Sequence, residues 1–295
     1  LTTPFKENGD LDLAGFRRLV DDVIGDGVHA ILVNGCTGES WALGDEERQE
    51  VFRTAVEQAA GRVPVIVGCG AMTTRQAIGK VRQAERAGAD AVMIQPPWYV
   101  MPSEPEVYEY YRNVGRSSPL PIVVYNIPRR TGVQLSVDLM DRLADEPTVV
   151  ALKESSKDFV LLSDMVRRLS DRIAVFAGYA SLFGLAAMAV GAVGYMDSVT
   201  PVFGRRSVEF YHAATRGDFV RARSLQADMA KLQKCFFGVG TFPAATKAAL
   251  DLIGRAGGFP RDPIQPLSLE QREKIRQVLE ETQLLPASAG RTAPA

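Results

Sequence analysis

Short runs of aliphatic and β-branched residues alternate along the chain with longer amphipathic stretches, at a spacing of roughly 25 to 35 residues, the pattern of repeated strand-helix units. The short runs are Leu1 to Thr3, Ala30 to Val33, Pro64 to Val67, Ala91 to Ile94, Ile122 to Tyr125, Val149 to Lys153, Val175 to Ala177 and Val193 to Met196. Between them lie helical patterns. Leu13, Phe16, Leu19, Val20 and Val23 share one face, with Gly27 placed to cap its end. Ser103 and Glu106 have the spacing of a capping box ahead of Tyr108 and Tyr111. The apolar stretch from Ala180 to Met196 is interrupted by glycines and is shorter than the ~20 residues of a bilayer-spanning helix, so it reads as a buried helix and then a strand.

Eight such units predict an α/β fold, a (β/α)8 TIM barrel whose chemistry sits at the carboxyl ends of its strands. An open doubly wound sheet is the competing architecture, but no GxGxxG follows the first strand. Past the eighth unit, Phe219 to Leu232, Phe242 to Ile253 and Leu269 to Leu284 read as further helices. The expected organisation is a catalytic barrel over residues 1–215, a C-terminal helical extension over 216–285, and a disordered Ala/Ser/Pro-rich tail over 286–295.

Composition narrows the function. The 34 basic and 35 acidic residues leave a net charge of −1, without the positive footprint of a nucleic-acid or anionic-membrane binder, so a small neutral or anionic metabolite is the expected partner. The three cysteines, Cys36, Cys69 and Cys235, are scattered with no CxxC pair, which speaks against a disulfide framework and for a reducing, cytoplasmic home. No charged segment of signal-peptide type opens the sequence. With only His29 and His212 there is little material for a metal cage or a histidine-based triad, so no metal is expected and another residue type must move protons.

The strand ends supply that chemistry. Lys153 follows the apolar run Val149-Val-Ala-Leu, and period-two alternation puts it on one face with Ala151 and Val149, with Leu152 and Glu154 on the other. Facing the barrel interior, its ammonium is disfavoured by desolvation and a nucleophilic amine is released. A lone lysine in such a place is more often simply solvated. Tyr125 ends the preceding strand, where a phenol can carry protons during carbinolamine formation and dehydration, although a single tyrosine there is more often a packing residue. Arg130 follows in a Pro- and Gly-punctuated loop suited to holding a carboxylate, or to plain solvation. In Asn34-Gly35-Cys36-Thr37-Gly38, backbone amides and the Thr37 hydroxyl can face an anion, though glycine-rich turns are common for steric reasons alone.

Taken together, these segments resemble the dihydrodipicolinate synthase and N-acetylneuraminate lyase family of pyruvate-dependent class I aldolases. The resemblance runs over nearly the whole chain and is carried by Gly35 to Glu39, the PPWY segment Pro96 to Tyr99, Tyr125 to Gly132, Leu152 to Glu154 and the AGY turn Ala177 to Tyr179. It implies that Lys153 forms an imine with pyruvate, with no other cofactor, and that Tyr125 relays protons. It implies that Thr37 and nearby amides, among them those of Gly35 and Cys36, hold the pyruvate carboxylate. It also implies that Tyr99 reaches a neighbouring active site in a homotetramer built from two dimers. Gly178, Met196, Asp197 and Ser198 then fall on the substrate side of the seventh and eighth strands.

Departures from the family pattern qualify this. Cys36 stands where the synthases carry a relay threonine. Arg130 keeps the position that binds aspartate semialdehyde in the synthases, whereas Asp197 and Ser198 suit the hydroxyls of a 2-keto-3-deoxy sugar acid, or Asp197 caps the next helix. Trp41, Arg48 and Gln76 are a poor match to the lysine feedback site, so weak or no lysine inhibition is expected. The leading expectation is a lyase condensing pyruvate with an aldehyde, nominally aspartate semialdehyde. The alternatives are a sugar-acid aldolase or dehydratase and, from another class, a catalytically silent ligand-binding barrel.

Overall fold

Parallel pairing in strict chain order organises the computed structural model, which describes residues 1–286. The strands are β1 Ile31–Val33, β2 Val65–Gly68, β3 Ala91–Ile94, β4 Ile122–Asn126, β5 Val149–Glu154, β6 Ala174–Ala177 and β7 Gly194–Tyr195. Each pairs with the next. The helices between and around them are α1 Leu13–Gly25, α2 Asp45–Ala59, α3 Thr74–Ala87, α4 Glu104–Gly115, α5 Pro128–Thr131, α6 Val137–Leu143 and α7 Phe159–Leu169. They continue with α8 Ala180–Ala189, α9 Thr200–Phe203, α10 Arg205–Thr215, α11 Phe219–Gly238, α12 Phe242–Leu252 and α13 Leu269–Glu281. Residues 287–295 of the tail expected to be disordered lie outside the described residues.

Alternation along the strands separates two cores. Ile31, Val33, Val65, Val67, Val92, Ile94, Ile122, Val124, Leu152 and Val175 pack outward against the helices. Leu32, Ile66, Met93, Val123, Tyr125, Ala151, Ala174 and Phe176 form a separate inner cluster. Two cores divided by one layer of strands is the arrangement of a curled, barrel-forming sheet. Helix starts follow local chemistry: Asp12, Thr73, Ser136 and Asp158 each accept a backbone N–H in the first turn of the helix they precede. The capping box of Ser103 and Glu106 is present, with Glu106 Oε2 accepting from the Ser103 amide at 2.8 Å.

Two expectations are corrected. Leu1 to Thr3, expected as the first of eight strands, forms no strand, and seven are found among the described residues. The Leu1 nitrogen donates to Leu32 O at 2.5 Å beside β1, but Thr3 turns its hydroxyl to Gly38 O and Pro4 has no N–H to extend a ladder. The second correction concerns Val149. The β4–β5 register shifts so that Ile122 faces Val149 and Val123 faces Ala151. Val150 is the extra residue, 41% exposed, and the bulge turns Val149 into the outer core while Ala151 and Lys153 keep the inner face.

Candidate active site

The carboxyl ends of the strands open into a cavity of about 630 Å3. Its lining includes Gly35, Cys36, Thr37, Tyr125, Arg130, Lys153, Gly178, Met196, Asp197 and Ser198, so residues from five separate loops and strand ends converge. Tyr99 does not line it. That residue stands 86% exposed, with the backbone of Tyr99 and of Met101 in the left-handed region (φ 73° and 44°).

Lys153 and Tyr125 are direct register partners on β5 and β4. The register brings the lysine Nζ to 4.4 Å from the centre of the tyrosine ring, and both residues are buried. Loss of solvation lowers the Lys153 ammonium to about 8, against smaller opposing effects of Cys36 and Asp197. Burial likewise raises the Tyr125 phenol well above its usual value, reinforced by Cys36 and Tyr179, so it stands protonated at neutral pH.

The strand ends are held from behind by polar contacts. Glu154 points away from Lys153, as alternation requires, and accepts from Asn126 Nδ2 at 2.6 Å and from the Ser156 amide at 2.5 Å. Asn126 Oδ1 accepts from the Leu135 amide, and the Gly178 amide donates to Glu154 O at 2.7 Å. A Cβ on Gly178 would fall on Ser155 Oγ, so only glycine lets β6 end this close to β5.

In the turn after β1, Asn34 adopts φ 56°, and the amides of Gly38 and Ser40 both donate to Gly35 O. The Glu39 amide donates to Cys36 O. The Cys36 and Thr37 amides and the Thr37 hydroxyl have no acceptor or donor within the described residues, which leaves them available to an anion at the cavity wall. Asp197 accepts from the Val199 amide at 2.8 Å and, in the first turn of α8, from the Ser181 amide at 3.3 Å; the helix that follows it, α9, has no side-chain cap, so the capping of the next helix weighed from the sequence is not found. Burial raises its carboxyl, partly offset by those amides and by Lys153.

Sequence reasoning missed some of the lining. Trp98 and Tyr179 face the cavity, and both lie in segments the sequence singled out, PPWY and AGY. Gln95 and Lys80, also in the wall, carried no signal because neither belongs to a recognisable spacing. Among the described residues no cluster of three or more His, Cys, Asp or Glu could hold a metal ion, and no helix is long and apolar enough to cross a membrane.

Comparison with known proteins gives a uniform result. The model of the dihydrodipicolinate synthetase family matches residues 1–282. A 4-hydroxy-tetrahydrodipicolinate synthase of Aquifex aeolicus is 38% identical, with 96% of each chain covered. One from Methanothrix thermoacetophila is also 38% identical, over 95% of this chain and 94% of that one. The crystal structure of dihydrodipicolinate synthase from Aquifex aeolicus superposes with a TM-score of 0.91 at 37% identity, covering 96% of both chains. A prophage protein of the dihydrodipicolinic acid synthase family from E. coli K12, in complex with pyruvate, superposes at 0.92 with 27% identity, covering 96% of this chain and 97% of that one.

Proposed function

The chain belongs to the dihydrodipicolinate synthetase family, with its barrel fold and lyase chemistry, and on that premise we propose that Lys153 is the amine through which it handles pyruvate. The observation that carries this reading is the lysine itself, buried at a strand end with its ammonium lowered to about 8 beside a protonated phenol. The free amine adds to the keto carbon of pyruvate, giving a carbinolamine. Tyr125 protonates the departing hydroxyl, water leaves, and a protonated imine remains. Loss of a methyl proton to the Tyr125 phenolate restores the phenol and gives the enamine, whose carbon attacks an aldehyde, and water then releases the product and restores the amine. No step needs a metal or another cofactor.

Thr37 and the Cys36 and Thr37 amides hold the keto-acid carboxylate in this scheme. Arg130, exposed at the cavity rim, meets an anionic group on the aldehyde, which makes aspartate semialdehyde the leading acceptor. A second reading within the same chemistry, cleavage or dehydration of a 2-keto-3-deoxy sugar acid, is favoured by Asp197, a half-buried carboxylate in the wall beside Ser198. The exposed run Tyr99, Val100 and Met101 is the surface we assign to a second copy, with a homotetramer as the assembly and the cytoplasm as its place.

Borohydride reduction in the presence of pyruvate tests the core of the proposal. A covalent adduct on Lys153, lost in Lys153→Ala, is expected; an unmodified protein would overturn it. Condensation with aspartate semialdehyde, set beside pyruvate release from a panel of 2-keto-3-deoxy acids, then separates the two readings.

A further inference from the structure

Glu39 combines two unfavourable features. Its carboxylate is fully buried, and its backbone sits in the left-handed region at φ 51°, ψ 44°, which glycine or asparagine occupies far more readily. Both are explained by what lies opposite. Lys247 of α12, also fully buried, places Nζ 2.5 Å from Glu39 Oε1, and the Arg261 amide donates to Oε2 at 3.0 Å. Lys247 also donates to Phe259 O at 2.7 Å, and its Nζ lies 4.3 Å from the centre of the Phe5 ring. Arg261 stacks on the same ring and donates to Gly9 O and Ala42 O, while pairing with Glu47 at the start of α2. The far end of the turn after β1 is therefore fastened to the C-terminal helices, not to the barrel strands.

The near end has its own anchor, Asn34 Nδ2 donating to Gly68 O at 2.6 Å, and beside Glu39 at the far end Gly38 O accepts from Thr3 Oγ1 at 2.8 Å. Between the two anchorages hang Cys36 and Thr37, whose amides and side chains are tied to nothing else in the described chain. Their position in the cavity thus depends on how the two ends are held, and the only ion pair among those holds is the one at Glu39. A surface contact would let the turn drift, whereas a buried ion pair has one good geometry and a steep penalty for leaving it.

We propose that Glu39 and Lys247 are positioning residues: their buried ion pair makes the C-terminal helices part of the active site by fixing the turn that presents Thr37 and its neighbouring amides to the keto-acid carboxylate. The inference rests on the lyase reading above and adds to it a long-range determinant of carboxylate recognition. Neither residue touches substrate. The pair should act on ligands that carry the carboxylate and spare those that carry only the carbonyl.

That selectivity supplies the test. Removing one partner leaves a buried charge and invites unfolding, so the variant to make is the double substitution Glu39→Gln with Lys247→Met, which keeps shape without an orphan charge. Glu39→Asp, which keeps the charge but falls short of the lysine, is the second. Borohydride trapping is followed against the concentration of pyruvate and, separately, of acetone, which offers a ketone and no carboxylate. In both variants half-maximal trapping should need about tenfold more pyruvate, the loss expected for a weakened contact to a charged group, with acetone trapping unchanged. A pyruvate dependence within twofold of wild type in the folded variants would overturn the inference, as would an equal loss with acetone, which marks a general structural role. Absence of any adduct in the wild-type protein overturns the lyase reading itself, and this inference with it.

Discussion

A lysine in water keeps its proton to a pH near 10.4. Lys153 gives it up near 8, because burial removes the water that would stabilise the charge. The rate of adduct formation with pyruvate should therefore climb about tenfold per pH unit on the acid side and level off above a pH of about 8. Stability should follow the opposite logic to that of a salt-bridged lysine. The folded-state value lies below the unfolded one, so the cost of burying the charge is fully present below pH 8 and fades as pH rises toward 10.4. A shift of that size corresponds to about 3 kcal/mol, and Lys153→Met should accordingly raise the thermal midpoint measured at pH 7 while abolishing the adduct. A lower midpoint would show that the ammonium finds compensation not seen in its surroundings. Gly178 makes a complementary case. Gly178→Ala drives a methyl into Ser155 Oγ, and a loss of about 2 kcal/mol in urea unfolding is expected, of the order of overpacking in a tight core.

At the scale of elements, the bulge on β5 sets the direction of Val149, and the clasp behind the strand ends holds Lys153 on the inner face. Asn126 at the end of β4 bonds both Glu154 and the Leu135 amide, so Asn126→Ala leaves that amide unpartnered and strips one of the donors from a buried carboxylate still held by the Ser156 amide. A destabilisation of about 2 to 3 kcal/mol is expected, with slower adduct formation as the β4–β5 ends loosen, measured by urea melts and trapping kinetics on the same variant. Some of this was legible in the sequence. The places of Lys153 and Tyr125 at strand ends followed from the alternation of short and long runs, and the capping box of Ser103 and Glu106 followed from short-range spacing. The bulge was not legible, because Val149-Val-Ala-Leu reads equally well in either phase and only the register with Ile122 and Val123 selects one. The expected strand at Leu1 to Thr3 failed for a related reason: an extended composition does not ensure pairing when the chain runs into proline.

For the whole molecule, two surfaces carry predictions. Tyr99, Val100 and Met101 expose apolar area at one rim of the barrel, and Met101→Asp should lower the sedimenting mass, with the fold retained by circular dichroism. An unchanged mass would remove this rim from the assembly interface. The second surface bears Trp41 and Arg48. Trp41 is 52% exposed, and Arg48 is buried with its guanidinium committed to Leu43 O and Asp45. With both terminal nitrogens of that cation already engaged and a large ring in place, turnover should hold at millimolar lysine, and a steep loss there would refute the expectation.

The order of the helices and of seven strands, and the places of Lys153 and Tyr125 at strand ends, were determined by the sequence, since periodicity and strand-end position are local properties that survive in one dimension. The depth of the lysine, the direction of Val149, the exposure of the run Tyr99, Val100 and Met101, and the clasp between Glu39 and Lys247 were decided only by tertiary structure. Each depends on residues far apart in the chain, here more than two hundred positions in the last case, whose meeting is fixed by packing and by the need to pair every buried charge.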